Sequence, residues 1–190
     1  MGKYTKIFLI ANVIIFILSY LLDRGGYHVI DSFALHNFSD KNFSIFQFLT
    51  YMFFHASVAH LVFNMIILIF FGSIVEKSVG EHFANYYLLC GVLGGLAHIL
   101  FFSDPVIGAS TAMWGILTTF AYVYPNDKIY LYFLFPVKAK YIISIFLLYE
   151  IFSAIVFSND GISHVGHIGG AIGGIIFYLL LKDKSSPSNF

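Results

Sequence analysis

Four residues on three apolar segments have the types that acyl-transfer chemistry needs: Ser110, His167, His60 and Asn64. A serine hydroxyl becomes nucleophilic when an imidazole within hydrogen-bond reach takes its proton, and the same imidazole then protonates the leaving group. Ser110 is therefore the candidate nucleophile and His167 the candidate general base and acid. A tetrahedral intermediate also needs donors for its oxyanion. The Ser110 backbone N–H, His60 and Asn64 are the candidates, since His60 and Asn64 stand four residues apart and share one helix face. The sequence shows no positioned carboxylate beside His167, so the expected arrangement is a dyad. Trp114, one turn from Ser110 on the same face, is expected to orient the imidazole by packing. Ser110 follows Gly108 and Ala109, while His167 opens a pattern with Gly170 and Gly174, interleaved with Gly166, Gly169 and Gly173. Small residues four apart let two membrane helices approach closely, as a serine–imidazole bond requires.

Each residue also has a plainer reading. A serine near a helix start is commonly a cap or packing residue, so Ser110 counts through its combination with His167 and the His60–Asn64 pair. His164 shares the face of His167 and is the alternative base, but at 1.5 Å per residue it lies about 4.5 Å nearer the outside. His55 and His98 are expected to be structural, and Glu76 to tether a loop. Glu150 falls near the middle of an apolar segment, where an ionised carboxylate is expensive. It is expected to stay protonated and hydrogen-bonded or to face a water pocket, without a catalytic role.

The elements that must position these residues are membrane helices. The 190 residues are 59% hydrophobic and 11% charged, with a mean hydropathy of +0.84, beyond the apolar share of a soluble domain. Ten basic and ten acidic residues cancel, and with Arg24 as the single arginine there is no basic stripe for nucleic acid. The lone Cys90 excludes an internal disulfide. Six segments approach the roughly 17 to 25 residues that span a bilayer: 7–22, 57–75, 83–102, 106–124, 141–157 and 162–181. The first is expected to be retained as a span, since no small-residue cleavage site follows it. Lys3, Lys6, Lys77, Lys128, Lys138, Lys140, Lys182 and Lys184 then lie on one side and Arg24 and Lys41 on the other, which puts both termini in the cytoplasm. The loop 23–56 is external, with Phe33, Phe38, Phe43, Phe46 and Phe48 suited to the interface. His60 and Asn64, Ser110 and His167 fall at one outer depth. No repeat or linker divides the chain, so 1–190 reads as a single domain, an all-α membrane bundle.

At this point the motifs carry a resemblance. Tyr51-x-Phe53-x-His55-x4-His60-x2-Phe63-Asn64, running on to Gly72, Glu76 and Gly80, resembles the second-span signature of the rhomboid family. Gly108-Ala109-Ser110 resembles its serine motif, and Gly166-His167-x2-Gly170-x3-Gly174 its histidine motif. The resemblance covers residues 51–181. It implies a six-helix rhomboid-like fold with a water-filled cavity open to the outside. It also implies a serine endopeptidase that cleaves single-span membrane proteins near the outer face of a lipid bilayer, with no cofactor and no metal. A bacterial inner membrane is compatible. Two departures stand out. The family usually has Gly directly after the serine, where this chain has Thr111, and a β-branched residue restricts the backbone there. The Trp-Arg pair of some members' first loop is missing. A catalytically inactive relative that binds membrane clients is the alternative, although it would be expected to lack the serine or histidine. A metal transporter using His60, His98, His164 and His167 is a further one; no acidic residue accompanies them within a span on that side.

Overall fold

In hydrocarbon a backbone must close its hydrogen bonds internally, and this chain does so almost entirely as helices. The computed structural model describes residues 1–131, 134–156 and 160–185. Helix α1 spans Lys3–Arg24, followed in the first loop by short helices α2 (Val29–Phe33) and α3 (Gln47–Thr50). Then come α4 (Val58–Ile67), α5 (Ser73–Val79) and α6 (Phe83–Phe101). Helices α7 (Ser110–Val123), α8 (Ala139–Val156) and α9 (His164–Ser185) follow.

Among the described residues, four stretches are long and apolar enough to cross a membrane: Lys3–Arg24, Val58–Phe101, Ala139–Val156 and His164–Asp183. Within Val58–Phe101, one wider helical turn at Leu68–Gly72 joins α4 to α5, and Gly80, with φ of 61°, ends α5. The expected end of the fifth segment at Phe157 lies outside the described residues.

The expected segment 106–124 is a helix only from Ser110 to Val123, 14 residues or about 21 Å at 1.5 Å per residue. Its first residues are extended instead. Leu35 N donates to Val106 O at 2.9 Å and Val106 N to Leu35 O at 3.0 Å. Gly108, at φ of 122°, turns the chain into α7 in a conformation that favours glycine. Helix α7 tolerates its shortness because it is interior: every residue from Thr111 to Phe120 is buried. A second departure from an all-α chain is a hairpin between α7 and α8. Its strands β1 (Lys128–Leu131) and β2 (Phe135–Lys138) pair antiparallel, Lys128 opposite Lys138.

Glycines bring α6, α7 and α9 together. A Cβ on Gly170 would overlap the Thr111 carbonyl oxygen, and one on Gly174 would stand 2.6 Å from Gly115 O. One on Gly94 would meet Gly166 O at 2.7 Å, which brings α6 against α9. Outside this core, Ile7, Ile14, Val62, Phe63, Phe70, Ile145, Leu148 and Ile155 point outward, an apolar perimeter suited to lipid.

Glu76 tethers a helix start rather than the expected loop. Its carboxylate accepts from Tyr4 N and Thr5 N, both at 2.9 Å, and from Thr5 Oγ1 at 2.6 Å. The first turn of α1 has no intrahelical acceptors for these amides, and a carboxylate there also complements the helix dipole. Of the five loop phenylalanines, Phe48 is buried while Phe33, Phe38 and Phe46 are exposed.

Candidate active site

Ser110 opens α7. The first ladder bond of that helix runs from Met113 N to Ala109 O at 3.0 Å, so the amides at Ser110, Thr111 and Ala112 precede the ladder and form its positive end. His167 lies one turn into α9. Ser110 Oγ and His167 Nε2 are 2.8 Å apart, the separation at which a hydroxyl proton can pass to an imidazole. The Trp114 ring packs beside that imidazole, centroids 6.0 Å apart and planes tilted by 34°.

His60 and Asn64 reach the same place. A cavity of 720 Å³ is lined by His60, Asn64, His98, Ser110, Ser163 and His167, among others. Ser57 caps α4, its Oγ accepting from His60 N at 3.1 Å. Asn64 Nδ2 donates to His60 O at 2.8 Å, and the second amide hydrogen remains for a ligand. A Cβ on Gly108 would stand 2.6 Å from the His60 ring, so the bare glycine lets that imidazole approach the turn before the serine. His55 packs edge-on against His60 with centroids 4.9 Å apart.

Thr111 is accommodated in a way its sequence position does not reveal. Its Oγ1 lies 2.8 Å from Tyr51 OH, which donates to Gly91 O at 2.6 Å. Gly108 N donates to Tyr51 O at 2.9 Å. One tyrosine thus holds the residues on both sides of the Ala109–Ser110 pair, and the β-branched side chain is turned into the α6 contact.

The expectation that no positioned carboxylate stands beside His167 needs a correction, since Glu150 lies there. Glu150 Oε2 of α8 is 3.0 Å from His167 Nδ1, an ion-pair distance without hydrogen-bond alignment, and 2.6 Å from His164 Nδ1. His164 Nε2 lies 2.9 Å from Asp160 Oδ2, and this hydrogen bond holds the Asp160 carboxyl below its ordinary range. Glu150 is neither isolated nor aimed at lipid, and the signal that could have found it is an acidic residue inside an apolar helix. The spacing along one chain could not show that it faces α9.

His164 has a carboxylate at each ring nitrogen and does not reach Ser110. His98, expected to be structural, lies with Nδ1 2.8 Å from Ser163 Oγ and Nε2 2.8 Å from Asp104 O. Of the four histidines considered for a metal, His60, His98 and His167 line one cavity, while His164 is engaged by Glu150 and Asp160. Glu150, His164 and His167 do offer three ligand atoms within 4.8 Å of one another.

Known proteins resemble this chain over most of its length. The Rhomboid domain model matches residues 42–184. RHOMBOID-like protein 12, mitochondrial, of Arabidopsis thaliana is 32% identical over 158 residues, covering 73% of this chain and 46% of the relative. Rhomboid protease GluP of Bacillus subtilis (strain 168) is 31% identical over 179 residues, covering 90% of this chain and 33% of the relative. Rhomboid protein 1, mitochondrial, of Saccharomyces cerevisiae is 29% identical over 133 residues, covering 65% and 38%. The chain spans less than half the length of each. From its domain match and its apolar helices, the chain belongs to the rhomboid family of integral membrane proteins.

Proposed function

We propose that this chain is an intramembrane serine endopeptidase that cleaves single-span membrane proteins near the outer membrane face. The observation that carries the reading is the 2.8 Å approach of Ser110 Oγ to His167 Nε2 at the wall of the cavity. Ser110 Oγ attacks the scissile carbonyl as His167 Nε2 takes its proton, and His167 returns that proton to the leaving amine. The Ser110 N–H, His60 and the free Asn64 hydrogen receive the oxyanion. Water from the cavity then hydrolyses the acyl-enzyme, with His167 again as base. Trp114, Gly108, Gly170 and Gly174 keep the two helices at the required distance. The accompanying topology is one domain over 1–190, crossing six times with both termini on the lysine-rich side. Helix α7 is then the short central crossing, and the loop 23–56 is external. The relatives named mitochondrial leave the type of membrane open, and a bacterial inner membrane fits the lysine distribution.

A fluorophosphonate probe tests the reading on the reconstituted full chain. Wild type should label and should cleave a single-span substrate, and Ser110→Ala should do neither. An unlabelled, non-cleaving wild type would favour the client-binding relative. The oxyanion assignment adds a graded expectation. His60→Ala and Asn64→Ala should each lower kcat by about 10²- to 10³-fold at most, the usual cost of one lost donor. Full turnover in the double variant would remove both from the site.

A further inference from the structure

We propose that Glu150 is the positioning carboxylate of His167, making a Ser110–His167–Glu150 line that Asp160 and His164 anchor from the loop side. The inference rests on Ser110 and His167 being nucleophile and base, and it adds a group that the two-residue scheme leaves out.

An imidazole that accepts a proton at Nε2 must carry its own proton at Nδ1, and an acceptor at Nδ1 sets both tautomer and ring orientation. His167 Nε2 faces Ser110 Oγ at 2.8 Å, and its Nδ1 is buried with Glu150 Oε2 3.0 Å away. The approach is out of line for a hydrogen bond; catalytic hydrogen bonds commonly align only once substrate is bound. The placement of Glu150 on α8 points the same way. Its neighbours Leu148 and Ile151 face outward, while Glu150 turns to α9 and is 7% exposed. A carboxylate inside an apolar helix persists where partners compensate its desolvation. His164 supplies one at 2.6 Å, and His164 in turn meets Asp160 at 2.9 Å. An imidazole that donates from both nitrogens does so as imidazolium, so His164 can hold Glu150 ionised and turned toward His167. The 2.6 and 3.0 Å separations at Glu150 Oε2 are shorter than the roughly 3.3 Å between two ligands each about 2.0 Å from a tetrahedral zinc. The 2.6 Å contact is a hydrogen bond and the 3.0 Å contact an ion-pair distance.

In the reaction, the Ser110 proton moves to His167 Nε2 as the Oγ–carbonyl bond forms. The Nδ1 proton stays on His167, and Glu150 stabilises the imidazolium without being protonated. The test compares wild type, Glu150→Gln and Glu150→Asp as full chains in lipid. Glu150→Gln should lower kcat and the rate of fluorophosphonate labelling in parallel, by about 10²-fold or more, at unchanged KM, since an amide in place of an orienting carboxylate favours the wrong tautomer. Glu150→Asp should recover much of the rate. Nitrogen-15 NMR of histidine-labelled wild type should show His167 protonated at Nδ1 with that proton shifted strongly downfield by the carboxylate, and an Nδ1 proton at the shift of a water-bonded imidazole would overturn the proposal even if Glu150→Gln fails to fold. A folded Glu150→Gln within threefold of wild type, or a wild-type His167 protonated at Nε2, would overturn the proposal. A wild type that neither labels nor cleaves would instead overturn the protease reading beneath it.

Discussion

His167→Ala should abolish cleavage and serine-probe labelling as completely as Ser110→Ala, while His164→Ala retains measurable turnover. The two histidines share a face of α9 and their ring centroids are 6.2 Å apart, so their roles are separated by what each nitrogen meets. His167 Nε2 has Ser110 Oγ at 2.8 Å. The nitrogens of His164 are engaged by Glu150 at 2.6 Å and Asp160 at 2.9 Å, and neither can take the serine proton without giving up a carboxylate. Loss of the base should cost at least about 10⁴-fold in kcat, in line with single removals from serine–histidine machinery. His164→Ala withdraws one partner from Glu150 and leaves the Ser110–His167 pair in place, so a loss of about tenfold is expected, far below the loss expected for the base itself. Turnover on a single-span substrate, with circular dichroism as the check on folding, distinguishes the two. An inactive His164→Ala beside an active His167→Ala would reassign the base.

Gly170→Ala should lower turnover by about 10²-fold or more, the cost expected when reacting groups are displaced by about 1 Å. Its new methyl would overlap the Thr111 carbonyl oxygen and stand 2.7 Å from the Thr111 carbonyl carbon. Helical backbone cannot swing aside as a side chain can, so α7 and α9 must part. Thr111 adjoins Ser110, and Gly170 lies one turn after His167, so the separation acts directly on the 2.8 Å contact between them. Overpacking of this kind also costs about 1–3 kcal/mol of stability, so Tm should fall as well. Gly173→Ala is the control: its methyl would meet Leu93 Cδ1 at 2.9 Å, the end of a side chain that can rotate, and it should lose less than tenfold. Equal rates for Gly170→Ala and wild type would show that the close approach of α7 and α9 is not what sets the serine–histidine distance.

Much of the site was legible in the chain because its cues are local. Four-residue spacing puts His60 and Asn64 on one face, and both line the cavity. The glycines after His167 announced a close helix contact, and Gly170 and Gly174 do lie against α7 backbone. Runs of apolar residues marked the helices, although Gly108 and the pairing of Val106 with Leu35 move the start of α7 to Ser110.

What the sequence by itself determined was which residues could do chemistry and on which helices. These follow from composition and from the 3.6-residue period, which act within one segment. The tertiary structure alone decided how the helices are rotated and shifted against one another. That placed Glu150 beside His167, gave His164 to Asp160, and turned the Thr111 hydroxyl to Tyr51. Such pairings join residues 4 to 60 positions apart in the chain. They arise from close packing of glycine faces and from the need of each buried polar group for a partner in hydrocarbon, and no period along the chain encodes them.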